Sequence, residues 1–427
     1  MEFCILTENE FDEFSNNHQY NSFHQISKWG KLKQLNGWTY YMVGVKLNDK
    51  IVAATLLLEK KMFLNYKMFY SPRGYLIDYG DGNLLEYFTK EIKKFCLKKK
   101  GIFVKIDPYV INKQRDIDGN IVEGGIDNSD YITSLKTLGY KHLGFTLGME
   151  DLQPRWAFTL DLKDKTSDEL LSNMESKTRQ LIRKNIKNGI YTEEVLVSNV
   201  ETFKKIMEHT SKRRGFIDRP FSYYKNMLEV MGDNCKILIA KINIKNYIVM
   251  LNSEISDNEK IIEVKNKDII SGKNINIDKT NKKIEEANKV IERLKKKVEE
   301  ATKILEIEGE VIIGGGIIFM ISSREILSLF GGAYKEYMDF ISPYTTNWNM
   351  INYAVEKGYS KYSFYGITGD FSDKKSELYG LYDFKRGFGG VVEEYMGEFD
   401  LVLKPLIYRM YKISFTIYNK LKNIRGK

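Results

Sequence analysis

The stretch NLLEYFTKEIKKFCLKKKGIFVKIDP, from Asn83 to Pro108, contains the change of periodicity that decides the fold class. Its second part, from Ile102 onward, is a short apolar run typical of a buried strand. Its first part ends in a basic turn before Gly101 and places apolar residues at helical spacing, at Leu84, Leu85, Phe88, Ile92 and Phe95. A helix that leads directly into a buried strand predicts a mixed α/β domain.

The flanking sequence extends this pattern in both directions. Residues 40–60 predict two strands around an Asn48-Asp49 turn, and 61–70 predict a third. A similar order returns downstream, with predicted helices at 166–189, 200–216 and 221–232, paired strands at 236–255, and a helix leading into a strand at 349–366. Two α/β units of similar order predict two domains, each with helices packed on a mixed sheet.

A segment of different composition interrupts the second unit. Residues 256–310 contain no aromatic residue. Apolar residues alternate spacings of three and four along an a/d seam, at Ile284, Ala287, Ile291, Leu294, Val298, Ala301 and Leu305. We expect a coiled-coil hairpin with an upstream arm at 258–270 and a turn near 271–276. The alternative, a solvated surface helix, fits less well because the seam runs through several heptads. Strand character resumes at 310–322.

Bulk composition restricts the class of protein. The 66 Lys and Arg residues exceed the 57 Asp and Glu residues by 9, which favours an anionic partner such as phosphate, RNA or an acidic membrane. The three cysteines are scattered and predict neither a disulfide framework nor a zinc site. The N-terminus does not resemble a signal peptide, and no apolar run reaches membrane-spanning length. We therefore expect a cytoplasmic protein.

The common catalytic motifs are missing from the sequence. It has no GxxxxGK[ST] phosphate loop, no GxGxxG turn, no HExxH, no paired CxxC and no GxSxG elbow. These absences argue against an ATP-driven ligase, a dehydrogenase, a zinc hydrolase and a serine hydrolase. They leave open a group transfer from an activated donor, which needs no metal or cofactor and depends on orientation and oxyanion stabilisation.

Four stretches combine cations with aromatic residues. They are FHQISKWGKLKQLNGW (23–38), FYSPRGYLIDYG (69–80), KRRGFIDRPFSYY (212–224) and LYGLYDFKRGFGG (378–390). Such groups suit phosphate or carboxylate ligands and can stack on sugars or bases, but each stretch alone could equally be a solvated basic loop. For the last stretch, composition predicts a glycine-rich turn into the final strand.

The order of these stretches resembles the Fem family of peptidoglycan-bridge aminoacyltransferases over nearly the whole chain. The resemblance rests on seven segments in sequence order, and together they are specific. They are the Gln25, Trp29, Gly30 and Lys33 pattern, SPRGYLIDY (71–79), VKIDP (104–108), SKTRQLIRKNIKNG (176–189), FGGAYKEY (330–337), GITGDF (366–371), and GLYDFKRGFGG with EYMGEFDL (380–401).

The resemblance implies an α/β fold of two acyl-CoA N-acetyltransferase-like domains in tandem, at 1–150 and 151–427. The second would be interrupted by the coiled-coil arm at 256–310, similar to a tRNA synthetase arm. The implied enzyme transfers an amino acid from aminoacyl-tRNA to the side-chain amine of the peptidoglycan stem peptide, on lipid II or UDP-MurNAc-pentapeptide. Aminoacyl-tRNA would be a co-substrate, with no further cofactor and no metal.

The same resemblance implies roles for individual residues. Phe384 and Lys385 match a pair linked to the tRNA acceptor end and the transition state, whereas Arg386 would only assist. Lys33 and either Arg213 or Arg214 match cations that hold the diphosphate of the precursor. Asp107 matches a proposed general base, with a turn or cap residue as the alternative. The remaining candidates for substrate binding are Arg73, Tyr224, Tyr334 and Tyr344, and the tyrosines could equally be core residues.

Two further expectations concern the tail and the rival functions. Residues 404–427 form a basic amphipathic segment that could rest on an anionic leaflet at the inner face of the membrane, or dock as a simple C-terminal helix. The rival functions are an acyl-CoA-dependent N-acyltransferase, for which no Gly-rich pyrophosphate turn is evident, and a non-enzymatic protein that binds tRNA or cell-wall precursors.

Overall fold

The computed structural model describes residues 1–272 and 276–425, with side chains through Phe415. Its strands form two mixed sheets. The first sheet contains, in spatial order, β1 (Glu2–Ile5), β2 (Thr39–Leu47), β3 (Lys50–Lys61), β4 (Lys67–Ser71), β5 (Gly101–Ile106), β15 (Phe399–Val402) and β7 (Tyr140–His142). The second contains β6 (Ile111–Gln114), β14 (Val391–Tyr395), β8 (Trp156–Asp161), β13 (Lys361–Gly366), β12 (Glu325–Ala333), β11 (Val311–Ile321), β10 (Cys235–Asn243) and β9 (Ile190–Glu194).

Helices pack against both sheets. Those that accompany the first sheet in the sequence are α1 (Glu8–Asn17), α2 (Ser27–Leu35), α3 (Gly82–Lys98) and α4 (Ser129–Thr137). The others are α5 (Ser167–Asn173), α6 (Ser176–Lys187), α7 (Glu201–Arg214), α8 (Phe221–Met231), α9 (Ile244–Ile270), α10 (Ile277–Glu308), α11 (Ser342–Glu356), α12 (Glu377–Arg386) and α13 (Pro405–Arg425). The predicted α/β class is confirmed.

The α3–β5 unit forms as the sequence predicts. Asp81 caps α3 by accepting a hydrogen bond from the backbone of Leu84, and the apolar stripe of the helix is buried on the first sheet. β5 then pairs in parallel with β4, so that Ser71 lies opposite Ile106. Because parallel strands end at the same edge, residues 72–74 and Asp107 are brought together there.

The predicted hairpin between β2 and β3 is also confirmed. Asn48 and Asp49 both have positive φ angles, of 49° and 62°, and they connect Leu47 to its partner Lys50. Two consecutive left-handed residues are the geometry of a tight hairpin turn, which Asn and Asp tolerate better than most side chains.

The two sheets exchange strands across the expected domain boundary at residue 150. β15, near the C-terminus, lies between β5 and β7 of the first sheet. In return, β6 pairs with β14 at the edge of the second sheet. Each sheet therefore contains a strand from the other side of residue 150, and a division into 1–150 and 151–427 does not describe either sheet completely. The ladder hydrogen bonds of β15 also cover the edge of β5, which would otherwise be open.

The helical insertion is longer than predicted. Of the expected paired strands at 236–255, the first is confirmed as β10, but the second is wrong, since β10 ends at Asn243 and α9 begins at the next residue. The Asn243 side chain accepts a hydrogen bond from the backbone N–H of Asn246 and so caps the helix. One face of the new helix is buried at helical spacing, at Ile244, Tyr247, Leu251 and Ile255.

The hairpin itself is confirmed. α9 packs along α10, and the predicted seam supplies buried residues of α10, including Ala287, Ile291, Leu294 and Ala301. The predicted turn at 271–276 includes residues 273–275, which lie outside the described residues. The strand β11 follows α10 and pairs with β10, so the hairpin is inserted between two neighbouring strands of the second sheet.

The predicted C-terminal segment, 404–427, forms α13 as far as Arg425 and packs on β5, while residues 426–427 lie outside the described part of the chain. Within residues 1–272 and 276–425, no helix combines the length and the hydropathy that crossing a bilayer requires.

Candidate active site

The stretch LYGLYDFKRGFGG is not the predicted turn, because most of it lies in α12. The Ser376 hydroxyl starts this helix by accepting a hydrogen bond from the backbone N–H of Tyr379. The turn into β14 comes only after the helix, where Gly389 has a φ of 80° and a Cβ at Gly390 would lie 2.0 Å from the Thr159 oxygen. The glycine-rich end therefore positions α12 against the second sheet.

Lys385 lies on the inner face of α12 and is buried, with 7% of its surface exposed. Its Nζ donates a hydrogen bond of 2.6 Å to the backbone oxygen of Gly366, at the end of β13. Burial lowers the pKa of the Lys385 ammonium to about 7. The side chain can therefore exist in either protonation state near neutral pH, as acid–base chemistry requires.

An aromatic cluster adjoins Lys385. The ring of Phe384 lies 4.9 Å from that of Tyr344 and 5.5 Å from that of Phe388, measured between centroids. Phe384 and Tyr344 are both partly exposed, and their planes cross at 82°, so each ring offers part of its apolar surface beside the lysine. Such a surface can stack on a base or a ribose.

A second group of polar residues lies at the edge where β4 and β5 end. Asp107 is buried there and accepts hydrogen bonds from the Tyr70 hydroxyl at 2.9 Å and from the backbone N–H of Arg73 at 2.7 Å. Burial raises the pKa of Asp107 to about 7, although the Arg73 charge acts in the opposite direction. Asp107 thus fixes the turn that presents Arg73.

The Arg73 guanidinium is also buried and faces the second sheet. Its Nη2 donates a hydrogen bond of 2.8 Å to the backbone oxygen of Pro154, and its Cζ lies 4.6 Å from the centroid of the Tyr395 ring. Arg73 therefore joins the two sheets rather than extending freely into solvent.

Lys33 occupies a third position, on α2. Its Nζ lies 4.3 Å above the Trp29 ring. Burial, and to a lesser extent the charge of Arg219, lowers the pKa of Lys33 to about 8. Arg219 stacks in turn over the Tyr223 ring, 5.4 Å from its centroid. Two cations that act on each other electrostatically are suited to an anionic ligand.

The other two arginines of this region have different partners. Arg213 donates from Nη2 to the backbone oxygen of Ala333 at 3.4 Å, and Arg214 forms a 3.0 Å ion pair with Glu377 on α12. The sequence pairing of Lys33 with Arg213 or Arg214 stays a prediction, and the structure adds Arg219 as a cation whose charge acts on Lys33. One feature of the sequence could have indicated Arg219 as a candidate site residue, namely its position four residues before Tyr223.

The two tyrosines predicted near these arginines lie in different surroundings. Tyr224 is fully buried and donates a 2.6 Å hydrogen bond to Asp218, so it belongs to the core. Tyr334 is partly buried, and its ring lies 5.1 Å from that of His209. Arg386, next to Lys385, turns outward and pairs with Asp118 and Glu175.

A short segment to whose residues the sequence analysis assigned no role in the site connects these groups. Tyr365 has a φ of 62°, and its hydroxyl donates to the Gln153 side chain. Its electrostatic neighbours include Arg73, Asp107 and Tyr223. The next residue, Gly366, accepts the Lys385 hydrogen bond. Two consecutive residues thus face the Arg73–Asp107 group and the lysine respectively.

Comparison with known proteins agrees with this architecture. The FemAB family model matches residues 6–414. Aminoacyltransferase FemA of Staphylococcus epidermidis strain RP62A is 33% identical over 424 residues, which cover 99% of this chain and 100% of the relative. Aminoacyltransferase FemA of Staphylococcus aureus strain N315 is 32% identical over 426 residues, with 99% of both chains covered. The crystal structure of FemX superposes with a TM-score of 0.76 at 28% identity, covering 96% of this chain and 99% of that one.

These similarities extend over both sheets and the helical hairpin, not over one motif. The match includes the segments that carry Lys33, Asp107 and Lys385, because it runs almost from end to end. The chain belongs to the FemAB family.

Proposed function

We propose that the chain is an aminoacyltransferase that builds the interpeptide bridge of peptidoglycan. It would move an amino acid from aminoacyl-tRNA to the side-chain amine of the stem peptide, carried by lipid II or UDP-MurNAc-pentapeptide at the cytoplasmic face of the membrane. Whole-length similarity to aminoacyltransferases FemA supports this reaction class. Within the site, the observation that carries the proposal is the buried Lys385 ammonium, linked through Gly366 to a second group of polar residues.

The proposed reaction needs no ATP, because the aminoacyl ester is already activated. The acceptor amine attacks the ester carbonyl, an N–C bond forms, and the C–O bond to the ribose breaks. The amine proton is finally transferred to the departing ribose oxygen, which is released as a hydroxyl. In this scheme, Lys385 stabilises the oxyanion and the departing oxygen, and its burial strengthens that interaction because little water screens it.

The neighbouring groups would position the two substrates. Phe384 and Tyr344 would stack on the acceptor end of the tRNA. Lys33 and Arg219 would hold the diphosphate of the precursor, since the Arg219 charge acts on the Lys33 ammonium and two such cations suit an anion. Both oxygens of Asp107 already accept hydrogen bonds, so we assign it to fixing the Arg73 turn rather than to removing a proton.

A transfer assay tests the proposal. The purified chain is incubated with UDP-MurNAc-pentapeptide and tRNA charged with glycine, alanine or serine. The mass of the precursor is then measured by mass spectrometry. We expect a gain of one or more amino-acid residues that ribonuclease treatment abolishes. Lys385→Met should lose at least about a hundredfold in kcat, while Arg386→Met, on the same helix but paired at the surface, should lose much less.

The same assay distinguishes the two rival functions. A gain of an acetyl group from acetyl-CoA in the absence of tRNA would instead identify an acyl-CoA-dependent N-acyltransferase. Binding of both tRNA and the precursor without any mass gain would indicate a non-enzymatic binding protein. Either result would overturn the proposed function.

A further inference from the structure

As far as its side chains are described, through Phe415, the C-terminal helix α13 is held on the first sheet through one face. Tyr408 is buried on this face, and its hydroxyl donates a 2.6 Å hydrogen bond to Asp400 of β15. The ring of Phe103, on β5, lies 5.4 Å from that of Tyr408 and 5.5 Å from that of Tyr411. These contacts fix which side of the helix faces away from the protein.

The opposite side of α13 carries large apolar residues in contact with solvent. Leu406, Met410 and Ile413 are exposed to 79%, 61% and 55% of their surfaces. Their spacing of four and three residues places them in one stripe on the helix. A contiguous exposed stripe of this kind is unusual on a soluble surface and indicates an interaction site.

A second apolar projection stands beside this stripe, at the tip of the loop between β3 and β4. Leu64 is exposed to 82% and has a φ of 50°, a backbone region that disfavours leucine. The adjacent Phe63 is also exposed. Met62 and Tyr66, on either side of the tip, pack in the same apolar cluster as Tyr408. The loop tip and the helix are therefore neighbours on one edge of the protein.

This edge is basic. In the part of this segment whose side chains the structure describes, 404–415, three residues are Lys or Arg and none is Asp or Glu, and one of the three, Lys412, pairs with the buried Asp400 at 3.7 Å. Lys60 and Lys61 precede the loop tip, and Lys98, Lys99 and Lys100 end the helix α3 at the start of β5. The backbone of Lys100 bonds to that of Lys67 at 3.2 Å, so these lysines lie at the same end of the sheet as the loop.

We infer that this edge, formed by the outer stripe of α13 and the Phe63–Leu64 tip, binds the surface of an anionic lipid bilayer. Helices that lie in the headgroup region combine an apolar face with flanking cations, and both features are present here. The apolar side chains enter the interface, while the lysines and arginines interact with the acidic headgroups. The docked helix and the leaflet contact are compatible, because they use opposite faces of α13.

A vesicle flotation assay tests this inference without tRNA or precursor. We expect the full chain to float with vesicles of phosphatidylglycerol and phosphatidylcholine, and not with phosphatidylcholine alone. Added salt should weaken binding, because screening reduces the electrostatic part. The triple variant Leu406→Ser, Met410→Ser, Ile413→Ser should bind about tenfold less, and adding Leu64→Ser should reduce binding further.

The matched control replaces exposed apolar residues outside this edge, with Ile121→Ser, Leu196→Ser and Val249→Ser, whose wild-type residues are 56%, 61% and 64% exposed. This variant should float like the wild type, and circular dichroism should show all variants folded. The inference would be overturned if the wild type did not bind anionic vesicles, or if the triple variant bound them as strongly as the wild type does. A wild-type dimer, seen by light scattering, that the triple variant converts to a monomer would also overturn it.

The inference stands apart from the proposed transfer reaction. The triple variant should retain wild-type kcat and KM on soluble UDP-MurNAc-pentapeptide, since none of its residues contacts the candidate active site. Loss of that activity in a folded variant would contradict a purely membrane-directed role for this edge.

Discussion

The ammonium of Lys385 and the backbone oxygen of Gly366 are joined by a hydrogen bond of 2.6 Å. Gly366 ends β13, and the preceding residue, Tyr365, neighbours Arg73 and Asp107. One short segment therefore sets the separation between the lysine and the polar group at the end of β5. A transfer between two bound substrates depends on such a separation, because reacting atoms must approach within about 3–3.5 Å.

Gly366→Ala should disturb this separation. A Cβ at position 366 would lie 2.7 Å from Cγ of Pro154, whose backbone oxygen accepts a hydrogen bond from Arg73. Because the proline ring cannot move aside easily, we expect kcat to fall by about a hundredfold in the transfer assay. Gly380→Ala is the matched control, because no atom lies within 4 Å of the new Cβ. It should keep full activity and stabilise α12 by about 0.5–1 kcal/mol. Equal activity of the two variants would contradict this prediction, because it would show that the segment at Gly366 accommodates an added side chain without loss of catalysis.

Lys385 should also make stability depend on pH in a defined direction. Its pKa is about 7 in the folded chain and 10.5, the ordinary value of a lysine, in the unfolded chain, so between these pH values the unfolded chain binds more protons. The unfolding free energy of the wild type should therefore rise from pH 7 towards pH 10, relative to Lys385→Met, by up to about 1.4 kcal/mol per pH unit. Urea unfolding of both proteins at several pH values measures this difference. A difference that stays constant would contradict the lowered pKa.

The sequence predicted those parts of the fold that depend on local patterns. The α3–β5 unit follows from a change of periodicity, and the β2–β3 hairpin from Asn48 and Asp49. The segment 236–255 was misjudged because a continuous apolar run fits a strand and a buried helix equally well. The helix cap at Asn243 marks the change from strand to helix, but the hydrogen bond between its side chain and the backbone of Asn246 is seen only in the structure.

The candidate site was less predictable, because it depends on contacts between distant parts of the chain. Lys33 and Arg219 come from different helical regions, and nothing in their local sequence indicates that they approach each other. The resemblance selected Lys385 from its motif, but not its bond to Gly366, which is made by tertiary packing. The glycine-rich composition around Phe384 likewise predicted a turn. In the structure this stretch is a helix, which Ser376 caps and which buries one face.

Lys33 and Arg219 should govern the affinity for the precursor. Replacing either with methionine removes a charge-assisted hydrogen bond to an anion, so we expect KM for UDP-MurNAc-pentapeptide to rise by about ten- to a hundredfold, with little change in kcat. Arg214→Met, which breaks an exposed pair with Glu377, serves as the control and should change KM about twofold at most. If Arg214→Met has the larger effect, Arg219 is not the second diphosphate ligand.

The pH dependence of that affinity provides a separate test of Lys33. Because its pKa is about 8, the free enzyme loses the ammonium charge as the pH rises above that value. KM for the precursor should therefore increase above about pH 8 in the wild type. In Lys33→Met the increase should disappear, and steady-state kinetics from pH 6 to pH 9 would show whether it does.

Asp107 should act as an anchor rather than a base. Asp107→Asn keeps the shape and one acceptor oxygen, so we expect kcat/KM within about tenfold of the wild type. Asp107→Ala removes both bonds and leaves the buried Tyr70 hydroxyl and the Arg73 backbone N–H without that partner, which should cost about 3 kcal/mol of unfolding free energy. A loss of a hundredfold or more in Asp107→Asn, at unchanged stability, would identify the carboxylate as the general base instead.

The helical hairpin should serve tRNA more than the precursor, and the structure indicates how to shorten it safely. Deleting 257–308 would remove Ile291, Leu294 and Ala301 from the cluster that holds the base of the hairpin, so that variant should be unstable. Replacing 264–288 with a short Gly-Ser linker keeps this cluster. We expect the shortened enzyme to unfold like the wild type and to bind the precursor equally well, but to show a KM for charged tRNA about tenfold higher, as lost phosphate contacts would produce. A larger effect on precursor binding than on tRNA would refute this role.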